Sequence, residues 1–176
     1  MLLTDRQFWL LVHLGLGALY LHGFGAGLLG LSQPGRRTRL ASLGAAALAF
    51  AALASVVTGT WIIYPWYRAI LPPGGELALS PKSWLLAHAH LTAWHSFGME
   101  WKEHIAWLSP IFAVAVAFVM IRYRHRLQDV VETHQVLRLL VILAFVSGLV
   151  AGVLGGVLNK VAPNVFLMQE GKEENR

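Results

Sequence analysis

Residues Ala41 to Tyr64 read ASLGAAALAFAALASVVTGTWIIY, a stretch without a single charged side chain. An α-helix rises about 1.5 Å per residue, so roughly 20 such residues cross the hydrocarbon core of a bilayer. Three other blocks of similar character have no Asp, Glu, Lys or Arg: Phe8 to Leu31, His104 to Ile121 and Leu139 to Leu158. The sequence therefore predicts an all-α integral membrane four-helix bundle that forms one membrane domain over residues 1–176.

The composition excludes a water-soluble domain, since 56% of the residues are hydrophobic and only 13% are charged. A soluble protein of this size would expose too much apolar surface. The first block is long and lacks a positive flank and a small-residue cleavage site, which favours a membrane anchor over a cleaved signal peptide. The chain has no Cys, which excludes c-type heme attachment, thiolate-bound iron-sulfur clusters and disulfides.

Arginine and tryptophan predict the orientation of the bundle. The two shorter connections hold Arg36, Arg37 and Arg39 and then Arg122, Arg124, Arg126 and Arg138. Positively charged loops stay in the cytoplasm, so we expect both termini outside. All seven Trp fall on the predicted outer half, where indole rings favour the headgroup level. The formal charge of +5 then reflects contact with the cytoplasmic leaflet and gives no reason to expect nucleic-acid binding.

The longest connection, Pro65 to Glu103, is predicted to form an extended outer segment. Its Pro72-Pro73-Gly74-Gly75 sequence interrupts any helix. A helical pattern returns from Ser83 to Trp101. The sequence leaves open whether this part lies on the membrane, dips into it or runs straight into the third helix.

Histidines are the strongest sign of a cofactor. His13 lies inside the first predicted helix, where an ionisable side chain is costly and usually functional. The first and third helices of an up-down bundle lie on a diagonal, and His13 and His104 differ in depth by about one and a half turns. We therefore predict that His13 and His104 are the two axial ligands of a non-covalently bound heme b.

Three further histidines have less certain roles. His22 lies on the opposite face of the first helix from His13 and about 13 Å deeper. Three alternatives remain open for His22: a partner from the outer segment folded inward, a partner from another subunit, or no ligand role. His125 and His134, among cytoplasmic arginines, are expected to be solvated loop residues.

The stretch HSFGMEWKEH, His95 to His104, gathers ligand and proton chemistry at the membrane boundary. His95 is an alternative ligand. The Glu100 carboxylate, one turn before His104, is predicted to orient that imidazole. Glu103 is a candidate proton acceptor from a quinol.

Two cations and the glycines complete the candidate site. Lys102 and Arg68 are placed to meet heme propionates or an anionic headgroup. In the fourth helix Gly148, Gly152 and Gly156 recur at a spacing of four. Such a stripe permits the close approach of a planar cofactor or of another helix, and the sequence does not decide between them.

The histidines on the first and third helices, together with TGTWIIYPWYR (Thr58 to Arg68) and MEWKEH (Met99 to His104), resemble small bacterial b-type cytochrome subunits. The resemblance implies one or two copies of heme b, and a quinone. It implies electron transfer between the quinone pool and an outer-face partner such as cytochrome c. It also implies the bacterial inner membrane and the other subunits of a larger respiratory or photosynthetic complex. The chain would then be an electron-transfer subunit rather than a stand-alone enzyme.

Two other classes of function remain. One is a cofactor-free accessory subunit that packs against larger membrane partners. The other is a membrane metal-handling protein, in which the imidazoles of His88, His90, His95 and His104 take up zinc or copper. A soluble catalytic role is excluded, because the sequence has no nucleophile-base constellation and no phosphate-binding loop.

Overall fold

A computed structural model describes residues 4–33, 37–71, 73–123 and 131–162 of the chain. Arg36, Arg124, His125 and Arg126, and the C-terminus that was expected outside, lie beyond the described residues.

The described chain is helical throughout its ordered elements and contains no strand. The α-helices are α1 (Asp5–Leu31), α2 (Thr38–Thr58), α3 (Tyr64–Tyr67), α4 (Pro81–Ala87), α5 (Glu100–Tyr123) and α6 (Val131–Val161). A π-helical turn, Gly59–Ile63, joins α2 to α3, a second one, Trp94–Met99, leads into α5, and a 3₁₀ turn spans Leu77–Leu79.

Four continuous helices are long and apolar enough to cross a membrane: Gln7–Leu31, Thr38–Tyr67, Trp94–Tyr123 and Glu132–Val161. The predicted fold is confirmed: the chain is an all-α, multi-pass membrane four-helix bundle, with an extended connection between its second and third long helices. These helices run past the apolar blocks. The third begins ten residues before His104, inside the predicted outer segment, because its first turns are held by packing against α6 rather than by hydropathy.

Each long helix packs on its neighbours in chain order, and α1 also contacts α6, so the four form a ring. The first contact, between α1 and α2, is made through main chain. A Cβ on Gly30 would collide with Ala41, and a Cβ on Gly44 would collide with the backbone of Gly27. Only residues without a side chain allow this approach.

The glycine stripe of α6 serves packing at one position. A Cβ on Gly148 would meet the Tyr20 hydroxyl, while one on Gly152 or Gly156 would meet nothing within 4 Å. Within one chain, therefore, only the first member of the predicted stripe brings helices together.

The two ends of the bundle differ in composition. At the aromatic end, where α1 and α5 begin, lie Trp9, Trp61, Trp66, Trp84, Trp94, Trp101 and Trp107. At the arginine end, where α2 and α6 begin, lie Arg37, Arg39, Arg122 and Arg138. The connection through α4 folds onto the aromatic end, where Leu85, Met99 and Leu158 form a second apolar cluster with Trp84 and Trp94 around it.

His134 is not the solvated loop residue that the sequence predicted. It lies in the first turns of α6 and is only 4% exposed. The apolar block starts at Leu139, but α6 begins eight residues earlier, at Val131. The added turns carry His134 into the bundle.

Candidate functional site

His13, one of the predicted ligands, faces another helix. It lies on α1, half-buried, with its Nδ1 3.2 Å from the Thr58 Oγ1 on α2. The single Thr58 hydroxyl proton is directed to main-chain carbonyls, with Oγ1 2.8 Å from the Ala54 oxygen. Thr58 therefore accepts a hydrogen bond from His13 Nδ1–H, and in the neutral ring Nε2 carries the free lone pair.

Three more histidines are fixed in the same tautomer. Their Nδ1 atoms lie 2.7–2.8 Å from the carbonyl oxygen four residues earlier, in the pairs His22–Ala18, His88–Trp84 and His104–Glu100. A carbonyl only accepts, so each Nδ1 donates and each neutral ring presents Nε2. A metal-ligating imidazole is commonly held through its other nitrogen in this way, but the bond alone does not indicate a metal.

The structure does not test the predicted pairing of His13 and His104 as ligands of one heme. His104 is exposed on the surface of α5, and in the described part of the chain it shares no hydrogen bond or ring contact with His13. The group that holds the His104 imidazole also differs from the predicted Glu100 carboxylate. The main-chain oxygen of Glu100 holds the imidazole, while the Glu100 side chain is exposed.

His22 is exposed as well, in the middle of α1. Gly15, Ala18 and Gly25 are exposed along the same helix, and a Cβ on either glycine would meet open space. Within residues 4–33, 37–71, 73–123 and 131–162, no helix covers His22.

His95 lies in the π-helical turn Trp94–Met99 and is only 8% exposed. Its Nδ1 is 2.9 Å from the Tyr67 hydroxyl, and the two ring centroids are 5.9 Å apart. The predicted alternative ligand is thus tied to the end of the second long helix.

Two further polar side chains, Tyr64 and Glu103, lie near His95 and Tyr67. Tyr64 Oη and Glu103 Oε1 are buried, and neither has a hydrogen-bond partner among the described residues. The Tyr64 hydroxyl nevertheless lies within hydrogen-bonding range of the Glu103 carboxylate, so each is the nearest candidate partner of the other. Buried polar atoms without partners are rare and call for an explanation.

The two predicted cations occupy different surroundings. Lys102 is partly buried; its stem reaches α6, where Cε lies 3.1 Å from the position of a Cβ on Gly155, and its ammonium is near both His13 and Glu103. Arg68 is exposed, with its guanidinium 5.2 Å from the centroid of the Tyr64 ring. We name Tyr64, Tyr67, His95, Lys102 and Glu103 the polar cluster.

Sequence reasoning missed Thr58, Tyr64 and Tyr67. All three lie at or beside the π-helical turn that ends α2, and His95 lies in the other one. Single π-helical turns within α-helices are frequent at functional sites. The available signal was Gly59 directly after Thr58, because a glycine beside a polar residue near a membrane helix end is a weak point of the regular helix.

Comparison with protein-family models, with curated proteins and with solved structures finds no match for this chain. Its function is therefore argued from the residues of the bundle alone.

Proposed function

We propose that this chain is a membrane b-type cytochrome subunit that passes electrons between the quinone pool and a redox partner at the aromatic end. The observation that supports the proposal best is His13: a half-buried imidazole inside a membrane helix, held in the Nδ1–H tautomer by Thr58. Heme b, when bound, supplies a one-electron redox centre.

The donor set fits one axial position. His13 offers a neutral Nε2, and the adjacent helix has glycine at position 59, where an added Cβ would already touch the His13 ring at 3.6 Å. Lys102, near His13, supplies a positive charge suited to a propionate. For the second axial position the chain offers His95 within the polar cluster and His22 or His104 on its surface.

The exposed histidines favour a complex. Ionisable residues in membrane helices almost always face a protein interior or a water-filled cavity. His22 and His104 face neither in this bundle, so other subunits of a redox assembly are the natural cover. The same surface suits the alternative function, a cofactor-free accessory subunit.

A metal-handling function has less support. No group of three His, Cys, Asp or Glu side chains able to hold a metal ion occurs in residues 4–33, 37–71, 73–123 and 131–162. His88 and His90 have ring centroids 6.1 Å apart, but His95 is engaged with Tyr67. The four histidines of the predicted uptake site are thus not gathered into one site.

A reduced-minus-oxidised spectrum of the complex purified from native membranes tests the proposal. We expect b-type absorption bands in the wild type, their loss in His13→Ala and their retention in His90→Ala, an exposed histidine outside the site. Gel filtration and circular dichroism show whether each variant is folded. A folded wild-type complex without such bands, or a folded His13→Ala variant with full absorption, overturns the assignment.

A further inference from the structure

A groove lies between α2 and α5 at the arginine end of the bundle. It has a volume of about 300 Å³ and is lined by Arg39, Ser42, Leu43, Ala46 and Ile121. Leu43 is 70% exposed and Ile121 is 59% exposed, so the groove opens on the outer surface of the bundle. All five residues belong to the two membrane spans Thr38–Tyr67 and Trp94–Tyr123, and the groove therefore faces lipid.

The sequence of α2 explains why a groove forms here. Arg39, Leu43 and Ala46 follow one another at spacings of four and three residues, so they share one face of the helix. Phe50, four residues further on, continues this face and is exposed like Leu43. Ala46 thus places a methyl group where the residues before and after it place large apolar side chains.

Only the outer end of the groove is charged. The Ser42 hydroxyl lies 3.0 Å from the Thr38 carbonyl oxygen and 3.4 Å from that of Met120, which ties α2 to α5. Arg39, in the first turn of α2, is exposed, whereas Ala46 lies seven residues further along the helix and about 10 Å deeper. The groove therefore has a cationic mouth towards the membrane surface and an apolar floor towards the hydrocarbon.

A phospholipid is divided in the same way, with its phosphate at the membrane surface and its acyl chains below. The arginine end holds Arg37, Arg39, Arg122 and Arg138, and its only carboxylate among the described residues is Glu132. A net positive surface favours a headgroup with a net negative charge over a zwitterionic one, because the latter also carries a cation. Basic pockets between membrane helices bind anionic headgroups for this reason.

We propose that the groove between α2 and α5 binds an anionic phospholipid, with the phosphate at Arg39 and one acyl chain over Ala46, between Leu43 and Ile121. A helix of a second copy would cover the same apolar floor but would bring no anion to Arg39. The lipid supplies both parts. This site lies at the opposite end of the bundle from His13 and does not depend on heme.

The test uses native mass spectrometry of the delipidated full-length chain in detergent, titrated with dioleoyl phosphatidylglycerol or with dioleoyl phosphatidylcholine. The two lipids have the same acyl chains and differ in headgroup charge. One arginine at the headgroup favours an anionic lipid by about fivefold. The first phosphatidylglycerol should therefore bind about five times more tightly than the first phosphatidylcholine, and equal affinities overturn the proposal.

A pair of arginine variants separates the groove from the overall charge of this end. Arg39→Gln should remove the preference for phosphatidylglycerol. Arg138→Gln is the matched control, because α6 lies across the ring from α2, and it should keep the wild-type preference. An equal loss in the two variants would mean that the summed charge attracts the lipid, and this result overturns the proposal.

A pair of alanine variants tests the floor of the groove. Ala46→Leu should weaken the binding of both lipids by about fivefold, because a displaced acyl chain loses on the order of ten carbon contacts. Ala18→Leu makes the same change on an exposed part of α1 and should bind as the wild type does. Circular dichroism shows whether each variant is folded. Wild-type affinity in folded Ala46→Leu, or a dimer of the chain that Ala46→Leu dissociates, overturns the proposal.

Discussion

Along the same pair of helices, α1 and α2, the bundle changes its chemistry from one end to the other. Towards the arginine end, Gly30 lies against Ala41 and Gly27 against Gly44, with main chain meeting main chain. Towards the aromatic end, His13 meets Thr58 and a π-helical turn begins. In the first region, small residues allow the two helices to approach closely. In the second, a π-helical turn interrupts the regular α-helix beside polar side chains.

The difference teaches where a membrane protein tolerates imperfect packing. A tight main-chain contact fixes the separation and rotation of two helices. With that geometry fixed, the other end holds side chains whose hydrogen bonds are incomplete, as at Tyr64 and Glu103. Function is expected where local consistency is broken.

The largest effect should come from filling the main-chain contact. Gly44→Leu places a side chain against the backbone of Gly27 and should cost about 3 kcal/mol or more of unfolding free energy, since overpacking a rigid contact forces the helices apart. Unfolding of the purified chain in mixed micelles measures this cost.

Gly25→Leu is the matched control, because a Cβ at Gly25 meets nothing within 4 Å. It should be neutral or slightly stabilising, as leucine is a better helix former than glycine by nearly 1 kcal/mol. Equal losses in both variants would mean that α1 and α2 are not joined through this face.

Hydropathy was enough to predict the four helices, because the length of an uncharged block measures the membrane directly. It was not enough for their ends. The helical span Trp94–Tyr123 includes His95, Glu100 and Lys102. Packing against α6 and the folded connection stabilises those turns, and the local composition of the sequence does not reveal such packing.

The side-chain directions were also beyond the sequence. The sequence predicted only that His13 and His104 lie on diagonal helices. Whether their imidazoles approach each other depends on how far each helix is rotated about its axis. That rotation is set by contacts such as Gly30 with Ala41, distant in sequence from both histidines. Spacing along one helix predicts neighbours on that helix only.

A smaller effect distinguishes two tyrosines that receive the same substitution. The Tyr20 hydroxyl lies 2.8 Å from Ser109 Oγ and donates to the Ala144 oxygen, so Tyr20→Phe should lower the unfolding free energy by about 1–2 kcal/mol. Tyr64→Phe removes a buried hydroxyl without a partner and should be neutral or stabilising. Unfolding measurements on both variants compare them, and equal destabilisation would show that the Tyr64 hydroxyl has a hydrogen-bond partner in the folded chain.

The smallest effect concerns the orientation of a single imidazole. Thr58→Val keeps the shape of the side chain and removes the oxygen that accepts from His13 Nδ1–H, while Thr58→Ser keeps that oxygen. We expect Thr58→Val to cost about 0.5–1 kcal/mol of unfolding free energy and Thr58→Ser less. The sharper measurement is the nitrogen NMR of the His13 ring in the heme-free chain, which distinguishes the two tautomers directly.

In the wild type and in Thr58→Ser the His13 proton should reside on Nδ1, because the Thr58 hydroxyl proton is already committed to the Ala54 carbonyl. In Thr58→Val the imidazole loses its acceptor, and the populations of the Nδ1–H and Nε2–H forms should move towards each other. An unchanged tautomer in Thr58→Val would mean that Thr58 on α2 does not set the tautomer of His13. The tautomer of His13 would then depend on α1 alone. The chemical difference between the aromatic end and the arginine end would rest on Tyr64 and Glu103.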